Sequence, residues 1–496
     1  MAITSNQLVD QQDGKSVTGN NEHHQRAILQ QIAHQAMLDR GLLPDFSAEV
    51  LAELAAIQAT AAVKGNPVRD LRDRLWASID HDDSRDLDQL TVAEAMPGGS
   101  IMILVAVADV DSLVKVGSAI DRHAHHNTTS VSTAAAIFPM LPEKLSADLT
   151  SLNLNEDRLA IVVEMVIGAD GSIQGSDIYR ALVRNHAKLA DHSVAAWLDE
   201  NLRLQDEAAQ KMKRLRHIHG ALSLQTIEAK LLFDGNEIRD LEVDVKNRAT
   251  DIIEDFMIAA NGVTARYLLS RNIPSIRRVV RAPKRWDRIV DLAHDRGLSL
   301  PADPDSKALD NFLVKQKTDD PLRFPDLSLT VIKLMGAGEY VAEAPGETSA
   351  GHFGLAVRDY THSTAPNRRY ADLITQRLLK AAMAGEPSPY SNCELQVLAQ
   401  RCTKEEDAAN KVERQVGKSA AALLLESRIG EQFDAIVTGA SSKGTWARLL
   451  SIPVEGRVVH RFDGLDVGDR VHVRLMSVNI ARGYIDLQTV SHSEHQ

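Results

Sequence analysis

Once the polar first residues end, apolar positions fall at helical spacing. Ile28, Ile32, Ala36 and Met37 predict a helix over His24 to Arg40, stopped by Gly41. A second begins after Pro44, with Ser47 as its cap, Glu49 in its first turn and Val50, Leu51, Leu54 and Ile57 as its buried stripe; Gly65-Asn66-Pro67 ends it. From Leu75 to about Gly385 strand-like and helix-like stretches alternate, an α+β arrangement in which Ile101 to Ala108 is a long apolar strand. Asp170-Gly171 reads as a hairpin turn between Ile161–Val166 and a strand ending at Ile178. Asp251 to Leu269 predicts a helix with Ile252, Phe256, Ile258 and Ala259 inward. Ser391-Asn392-Cys393-Glu394 is a capping box opening a helical region that runs to Gly430. After Phe433 short β runs are punctuated by Gly439, Gly444, Gly456, Gly464, Gly468 and Gly483, which suits a five-stranded OB barrel.

Composition bounds this picture. A chain of 496 residues is too long for one compact core and predicts two or three domains. Its 44% hydrophobic and 25% charged content is that of a soluble globular protein. Cys393 and Cys402 have neither metal-site nor redox-motif spacing, which suits a reducing compartment. Residues 1–23 predict a disordered tail without the basic start and apolar stretch of a signal peptide. No apolar run approaches the roughly 20 residues that span a bilayer, so no membrane partner is expected and the compartment expected is the cytoplasm. The net charge of −12 argues against a nucleic-acid partner unless the basic residues line a channel and the acidic ones serve a metal.

Chemistry gathers in Trp76-Ala77-Ser78-Ile79-Asp80-His81-Asp82-Asp83-Ser84-Arg85-Asp86-Leu87-Asp88-Gln89-Leu90. Crowding Asp80, Asp86 and Asp88 raises carboxylate pKa values and costs stability unless a cation neutralises them. Two readings fit, a solvated acidic loop and a cation site. Asp80 closes an apolar strand, and Leu87 puts Asp86 and Asp88 on one face of an extended segment, which favours the site. Oxygen-only donors point to Mg²⁺ or Mn²⁺ rather than zinc. The most basic segment, Pro274 to Arg288, carries Arg277, Arg278, Arg281, Lys284, Arg285 and Arg288 around Trp286; it suits a solvated approach to a helix and an RNA-facing surface equally. The first two helices suit packing against the next domain better than a winged-helix element.

Ser78-Ile79-Asp80, Arg85-Asp86-Leu87-Asp88, Val107-Ala108-Asp109-Val110 and Gly117-Ser118-Ala119-Ile120-Asp121 together resemble the catalytic domain of the ribonuclease II (RNB) exoribonucleases. The resemblance sharpens at Phe138-Pro139-Met140-Leu141-Pro142-Glu143-Lys144-Leu145-Ser146 and continues through Ser151-Leu152-Asn153 to Arg158-Leu159-Ala160. Phe433-Asp434-Ala435-Ile436-Val437-Thr438-Gly439, Val454-Glu455-Gly456 and Gly468-Asp469-Arg470-Val471 resemble the OB-fold RNA-binding domain that ends these proteins. No N-terminal cold-shock barrels like those of longer members are visible.

The resemblance implies an RNB catalytic domain over 75–388, a helical connector over 389–430, an OB barrel over 431–490 and a short helical N-terminal region over 24–74. It implies a Mg²⁺-dependent hydrolytic exoribonuclease that trims single-stranded RNA from the 3′ end and releases nucleoside 5′-monophosphates. Asp80, Asp86 and Asp88 are then the metal ligands, with Asp88 the least dispensable. His352-Phe353-Gly354-Leu355 and Tyr360 to Leu373 form a second cluster, in which Pro366 suits the first position of a helix capped by Ser363 or Thr364. That helix start would place Arg368 beside an anion-favouring N-terminus. The match to the family's Arg-Arg-Tyr-x-Asp-Leu makes Arg368 a phosphate clamp and adds Tyr370 as a substrate contact. Glu254 and Glu413, solvated or salt-bridged on helix pattern alone, match positions that contact the ribose.

Three departures stand out. Gln89 occupies the place of a fourth aspartate, for which Asp82 or Asp83 are substitutes on offer. Ser132 and Leu224 replace two aromatic residues that stack terminal bases. These departures are also the evidence for the rival expectation, a catalytically weakened RNA-binding or regulatory protein on the same fold.

Overall fold

The computed structural model describes residues 25–62, 67–80, 84–190, 200–244, 248–348, 350–465 and 467–492. The expected tail, Gly65-Asn66 and Asp82-Asp83 lie outside the described residues. The chain divides into two compact units. The larger comprises Ala36–Glu228 and Val243–Arg414; the smaller gathers described residues up to Gln35, Ala229–Glu242 and the chain from Gln415 onward.

Helix α1 (Gln25–Asp39) ends at Gly41, whose φ of 74° lets its N–H bond back to Leu38. Its buried stripe is Leu29, Ala33, Ala36 and Met37, while Ile28 is exposed. The expected face was one residue off: positions 29, 33, 36 and 37 follow the 3.6-residue period more closely than 28, 32, 36 and 37 do. Helix α2 (Ala48–Ala56) is capped as its sequence predicts, the Ser47 hydroxyl accepting from Val50 N. Its stripe is narrower than expected, because Leu51 is exposed.

Strands β1 (Arg69–Asp70), β2 (Ala77–Asp80), β3 (Gln89–Ala95) and β4 (Ile101–Ala108) lead to α3 (Ala119–Asn127) and a small hairpin, β5 (Val131–Ser132) with β6 (Ile137–Phe138). Then come β7 (Asp157–Ile167), β8 (Ile173–Arg184) and β9 (Ala187–Ala190). Seven of these strands make one mixed sheet in the order β1-β8-β7-β4-β3-β2-β9. Strand β4 pairs along its whole length with β3 and β7 and is buried at nearly every position, which is why its sequence is apolar throughout rather than alternating. The hairpin between β7 and β8 turns at Gly168–Ser172, with Gly171 at φ 87°. A Cβ there would collide with the Lys211 carbonyl of α4 (Glu200–Ile218), so glycine is needed both for the turn and for its seat on that helix.

The hairpin β10 (Glu228–Asp234) and β11 (Glu237–Asp244) belongs to the smaller unit, where Asn236 accepts from Arg26 N and Arg26 lies over the Phe233 ring. Helix α5 (Arg248–Ser270) buries Ile252, Phe256, Ile258 and Ala259, as its sequence predicts.

The basic segment forms β12 (Ser275–Val279) and the start of α6 (Trp286–His294). After α7 (Ser306–Asp319) and α8 (Phe324–Met335), β13 (Glu339–Glu343) pairs antiparallel with β12 and brings acids to it. Arg277, 1% exposed, pairs with Glu343 at 3.0 Å; Arg278 pairs with Glu406 at 2.5 Å and Arg281 with Glu339 at 2.6 Å. Trp286 is buried and donates to Pro301 O. Three of the six cations thus neutralise neighbouring carboxylates, and the RNA-facing reading loses them.

Helix α9 (Tyr370–Ala384) packs on the sheet, and α10 (Asn392–Leu425) runs 34 residues from its capping box, Ser391 N donating to Glu394 Oε2 at 2.7 Å and Glu394 N to Ser391 Oγ at 3.2 Å. Strands β14 (Gln432–Ser441), β15 (Gly444–Leu449), β16 (Glu455–His460), β17 (Arg470–Asn479) and β18 (Tyr484–His492) close a barrel in the order β14-β15-β16-β18-β17. Phe433, Val437, Leu449, Val473 and Leu487 fill it, joined by Ala422 and Leu425 from the end of α10. The fold class is therefore the expected one, α+β with a C-terminal OB-type barrel. Among the described residues no helix is long and apolar enough to cross a membrane.

Candidate active site

Two segments far apart in sequence meet beside the central sheet. The first is the acidic loop between β2 and β3. Leu87 is buried and anchors it: Leu87 N donates to Ser151 Oγ at 3.0 Å, Ser151 Oγ donates to Arg85 O at 3.0 Å, and Leu152 N donates to Leu87 O at 3.0 Å. Asp88, the last residue before β3, is 3% exposed; Asp86 is half-buried. Asp80 ends β2 and accepts from the Ser84 hydroxyl at 2.7 Å.

The second is the turn Ala365–Arg369. The Ala365 carbonyl accepts from Arg368 N and Arg369 N, and Asp372 clamps the turn from below, accepting from Ala365 N at 2.8 Å and from Arg369 Nε and Nη2 at 2.9 and 2.8 Å. The expected helix from Pro366 is corrected here: α9 starts at Tyr370. Ser130 N donates to Arg368 O and Tyr370 N to Thr128 O, a bridge that holds Arg369 extended at φ −134°, ψ 123° and excludes helical geometry there. Arg368 therefore sits in the turn just ahead of α9 and not in the first turn of a helix.

The two segments touch at Asp88. Its Oδ1 accepts from Asn367 N at 3.2 Å, and its Oδ2 lies 3.5 Å from Arg368 Nε. Burial pushes the Asp88 carboxyl up to about 7, assisted by the Asp86 charge and opposed by Arg368 and the Asn367 N–H. The ion pair and the raised pKa point in opposite directions. Burial wins because the guanidinium is 56% exposed and screened by water. Asp86 is also pushed up, by burial first, with Arg368 opposing and Asp80 adding to the rise. Arg368 thus acts on both Asp86 and Asp88, and Asp80 acts on Asp86. Buried carboxylate oxygens short of positive charge suit a hard divalent cation. Among the described residues no three His, Cys, Asp or Glu side chains are gathered at a spacing that would hold an ion.

The remaining expected residues stand elsewhere. Glu254 is exposed on α5, beside buried Asp255, which pairs with Arg216 and is pushed up to about 6 by burial. Glu413, on α10, is also pushed up by burial, and accepts from Ser132 N at 2.8 Å. Ser132 is exposed opposite Ile137 in the β5–β6 hairpin, whereas Leu224 packs against the cluster around Trp286 and Phe324. Tyr370, expected to touch substrate, is corrected: it is 3% exposed and its hydroxyl donates to Asp121 at 3.0 Å, tying α9 to α3. Sequence reasoning gave no role to Thr150, Asn367 or Asp372, and quoted Ser151 only as part of a motif. Asn367 and Asp372 likewise stood only inside a quoted motif, and Thr150 and Ser151, small and uncharged, carry no period or charge pattern to mark them.

A family model described as the RNB domain matches residues 68–385, and one described as the RNase II-type exonuclease C-terminal S1 domain matches residues 431–490. The chain is 29% identical over 470 residues to Ribonuclease R of Escherichia coli (strain K12), covering 85% of this chain and 57% of that one. It is 30% identical over 468 residues to Ribonuclease R of Aquifex aeolicus (strain VF5), covering 86% and 65%. The chain thus spans about 57 to 65% of the length of these relatives. The structure of Mycoplasma genitalium RNase R in complex with ribose methylated single-stranded RNA shares the fold with a TM-score of 0.83 at 22% identity, covering 92% of this chain and 77% of that one. The structure of yeast Ssd1, a pseudonuclease, shares it with a TM-score of 0.71 at 16% identity, covering 90% and 58%.

Proposed function

This chain belongs to the RNB family, and from that premise we propose that it is a hydrolytic exoribonuclease that shortens single-stranded RNA from the 3′ end and releases nucleoside 5′-monophosphates. One observation carries the reading: a buried carboxylate, Asp88, meets the exposed Arg368 and the Asn367 N–H while remaining short of positive charge. Residues 75–388 are taken as the catalytic domain and 431–490 as an RNA grip. The compartment proposed is the cytoplasm, supported by two free cysteines and an RNA substrate.

RNB exoribonucleases generally depend on a divalent metal. Mg²⁺, with Mn²⁺ as the alternative, would activate water and neutralise phosphoryl oxygens. Asp80, Asp86 and Asp88 are proposed to hold it. Arg368 is proposed to hold the scissile phosphate and stabilise the charge that builds on it. Glu254 and Glu413 are proposed to accept hydrogen bonds from ribose 2′-hydroxyls, which DNA lacks. The solved relative bound to RNA supports the substrate class. Base stacking on an aromatic ring is worth roughly 1–3 kcal/mol, so Ser132 and Leu224 imply a weaker hold on the last nucleotides and limit products different from those a clamped relative leaves.

The fold alone does not decide activity, since a pseudonuclease shares it. The test is 5′-labelled single-stranded RNA incubated with Mg²⁺ or with chelator, for the wild type and for Asp88→Asn. Stepwise, metal-dependent shortening that the variant loses while still binding RNA supports the proposal. Binding without any release by the wild type refutes it.

A further inference from the structure

The acidic loop and the arginine turn are joined by two adjacent residues that neither segment contains. Thr150 and Ser151 follow a short π-helical stretch, Lys144–Leu149, and are 4% and 0% exposed, so neither can touch RNA. Ser151 faces the acids: its hydroxyl accepts from Leu87 N and donates to Arg85 O, fixing the residues on either side of Asp86. Thr150 faces the arginine turn, its Oγ1 lying 2.6 Å from the amide oxygen of Asn367, the residue whose backbone N–H reaches Asp88 and whose neighbour is Arg368.

The Thr150 hydroxyl has one proton and two acceptors in reach, Asn367 and Leu145 O at 2.9 Å. The Asn367 Nδ2 is buried with no protein partner among the described residues. Turning the amide over lets Thr150 donate to Leu145 while accepting from Asn367 Nδ2, with the amide oxygen then in the place Nδ2 held. The bond between Thr150 and Asn367 stands in either orientation, and among the described residues it is the one hydrogen bond of the Asn367 side chain.

We propose that Thr150 and Ser151 are a positioning pair that sets the distance between the aspartates and Arg368, and through it the rate of RNA cleavage; this rests on the function proposed above. The site needs carboxylates and guanidinium on the same phosphate, and displacements near 1 Å can cost on the order of a hundredfold in rate. A bond from each of two consecutive residues, one to each half, leaves the spacing no slack at that point. Removing either hydroxyl frees one half relative to the other and leaves a buried amide or N–H unpaired.

The test compares Thr150→Val, which keeps the side-chain shape, with Thr150→Ser, which keeps the hydroxyl, and with Ser151→Ala. Single-turnover cleavage of a short single-stranded RNA, its Kd and the melting temperature are measured for each. Thr150→Val and Ser151→Ala are expected to lose roughly tenfold or more in cleavage rate with Kd within about twofold of wild type, and Thr150→Ser to regain most of that loss. In an Arg368→Ala background Thr150→Val should cost little further, because its effect passes through the arginine. Wild-type cleavage by Thr150→Val overturns the assignment alone. So does a rate loss that follows the melting temperature and is no smaller in Thr150→Ser. A wild-type protein that binds RNA but releases nothing overturns the proposed function, and this assignment with it.

Discussion

Two clusters of aspartates lie at the same sheet and have opposite characters. In the first, Asp109, Asp111 and Asp121 meet Lys380, Arg377 and Arg180. Lys380 Nζ reaches Asp109 and Asp111 at 2.7 and 3.0 Å, and Arg377 reaches Asp111 and Asp121 at 3.0 and 2.8 Å. Arg180 adds a contact to Asp109 at 3.4 Å. Burial alone would raise Asp111, but Lys380 and Arg377 outweigh it and its pKa falls. In the second, Asp86 and Asp88 face one half-exposed arginine, and burial prevails for both. The motif residues Asp109 and Asp121 look as functional in sequence as Asp86 and Asp88 do. What separates them is compensation: the first cluster carries its own counter-charges and holds α3 and α9 to the sheet, whereas the second is short of positive charge where a cation would serve.

The contrast can be broken most severely at Arg377. Arg377→Met takes the buried Asp121 carboxylate's counter-charge away and leaves Asp111 to Lys380 alone, and should cost about 3–5 kcal/mol in urea unfolding, with no rescue by divalent metal. Asp88→Asn should instead lose at least about a hundredfold in metal-dependent cleavage, measured on labelled RNA, with RNA binding retained. A milder test uses pH. An Asp88 carboxyl near 7 must give up its proton to bind a cation, so Mn²⁺ affinity should be about tenfold weaker at pH 6 than at pH 8. Equal affinities would mean the acidic cluster is already compensated.

The smallest effect concerns the metal-free protein. Because the folded pKa of Asp88 is raised, its charge costs stability above about pH 7, and that cost fades as pH falls toward the unfolded value. Asp88→Asn should therefore gain about 1 kcal/mol at pH 8 and nothing near pH 4, by thermal melting without metal. Asp111 has the reverse sign, contributing stability above the unfolded carboxylate pKa and losing it in acid.

Patterns set by neighbours in sequence were legible. The apolar β4, the turn at Asp170-Gly171, the capping box at Ser391 and the glycine-spaced barrel all formed as the sequence predicts. Where contacts between distant residues decide, the reading slipped. Pro366 signals a helix start, yet two hydrogen bonds from residues 128 and 130 hold Arg369 extended. The arginines after Pro274 look like a nucleic-acid face until Glu339, Glu343 and Glu406 arrive from elsewhere in the chain. Tyr370 belongs to a recognised motif but spends its hydroxyl inside the protein. The acidic loop was found by charge density, but the residues that aim it, Thr150 and Ser151, have none.

The segment 128–130 grips Arg368 and Tyr370 by main-chain atoms. A tether of that kind is indifferent to what hangs from it. Two residues further along, Ser132 stands where a stacking ring is expected, and the exchange leaves the anchor of the arginine untouched. Under the proposed function, the hold on RNA ends would be set at that hairpin by side chains, separately from the main-chain bonds that place the arginine.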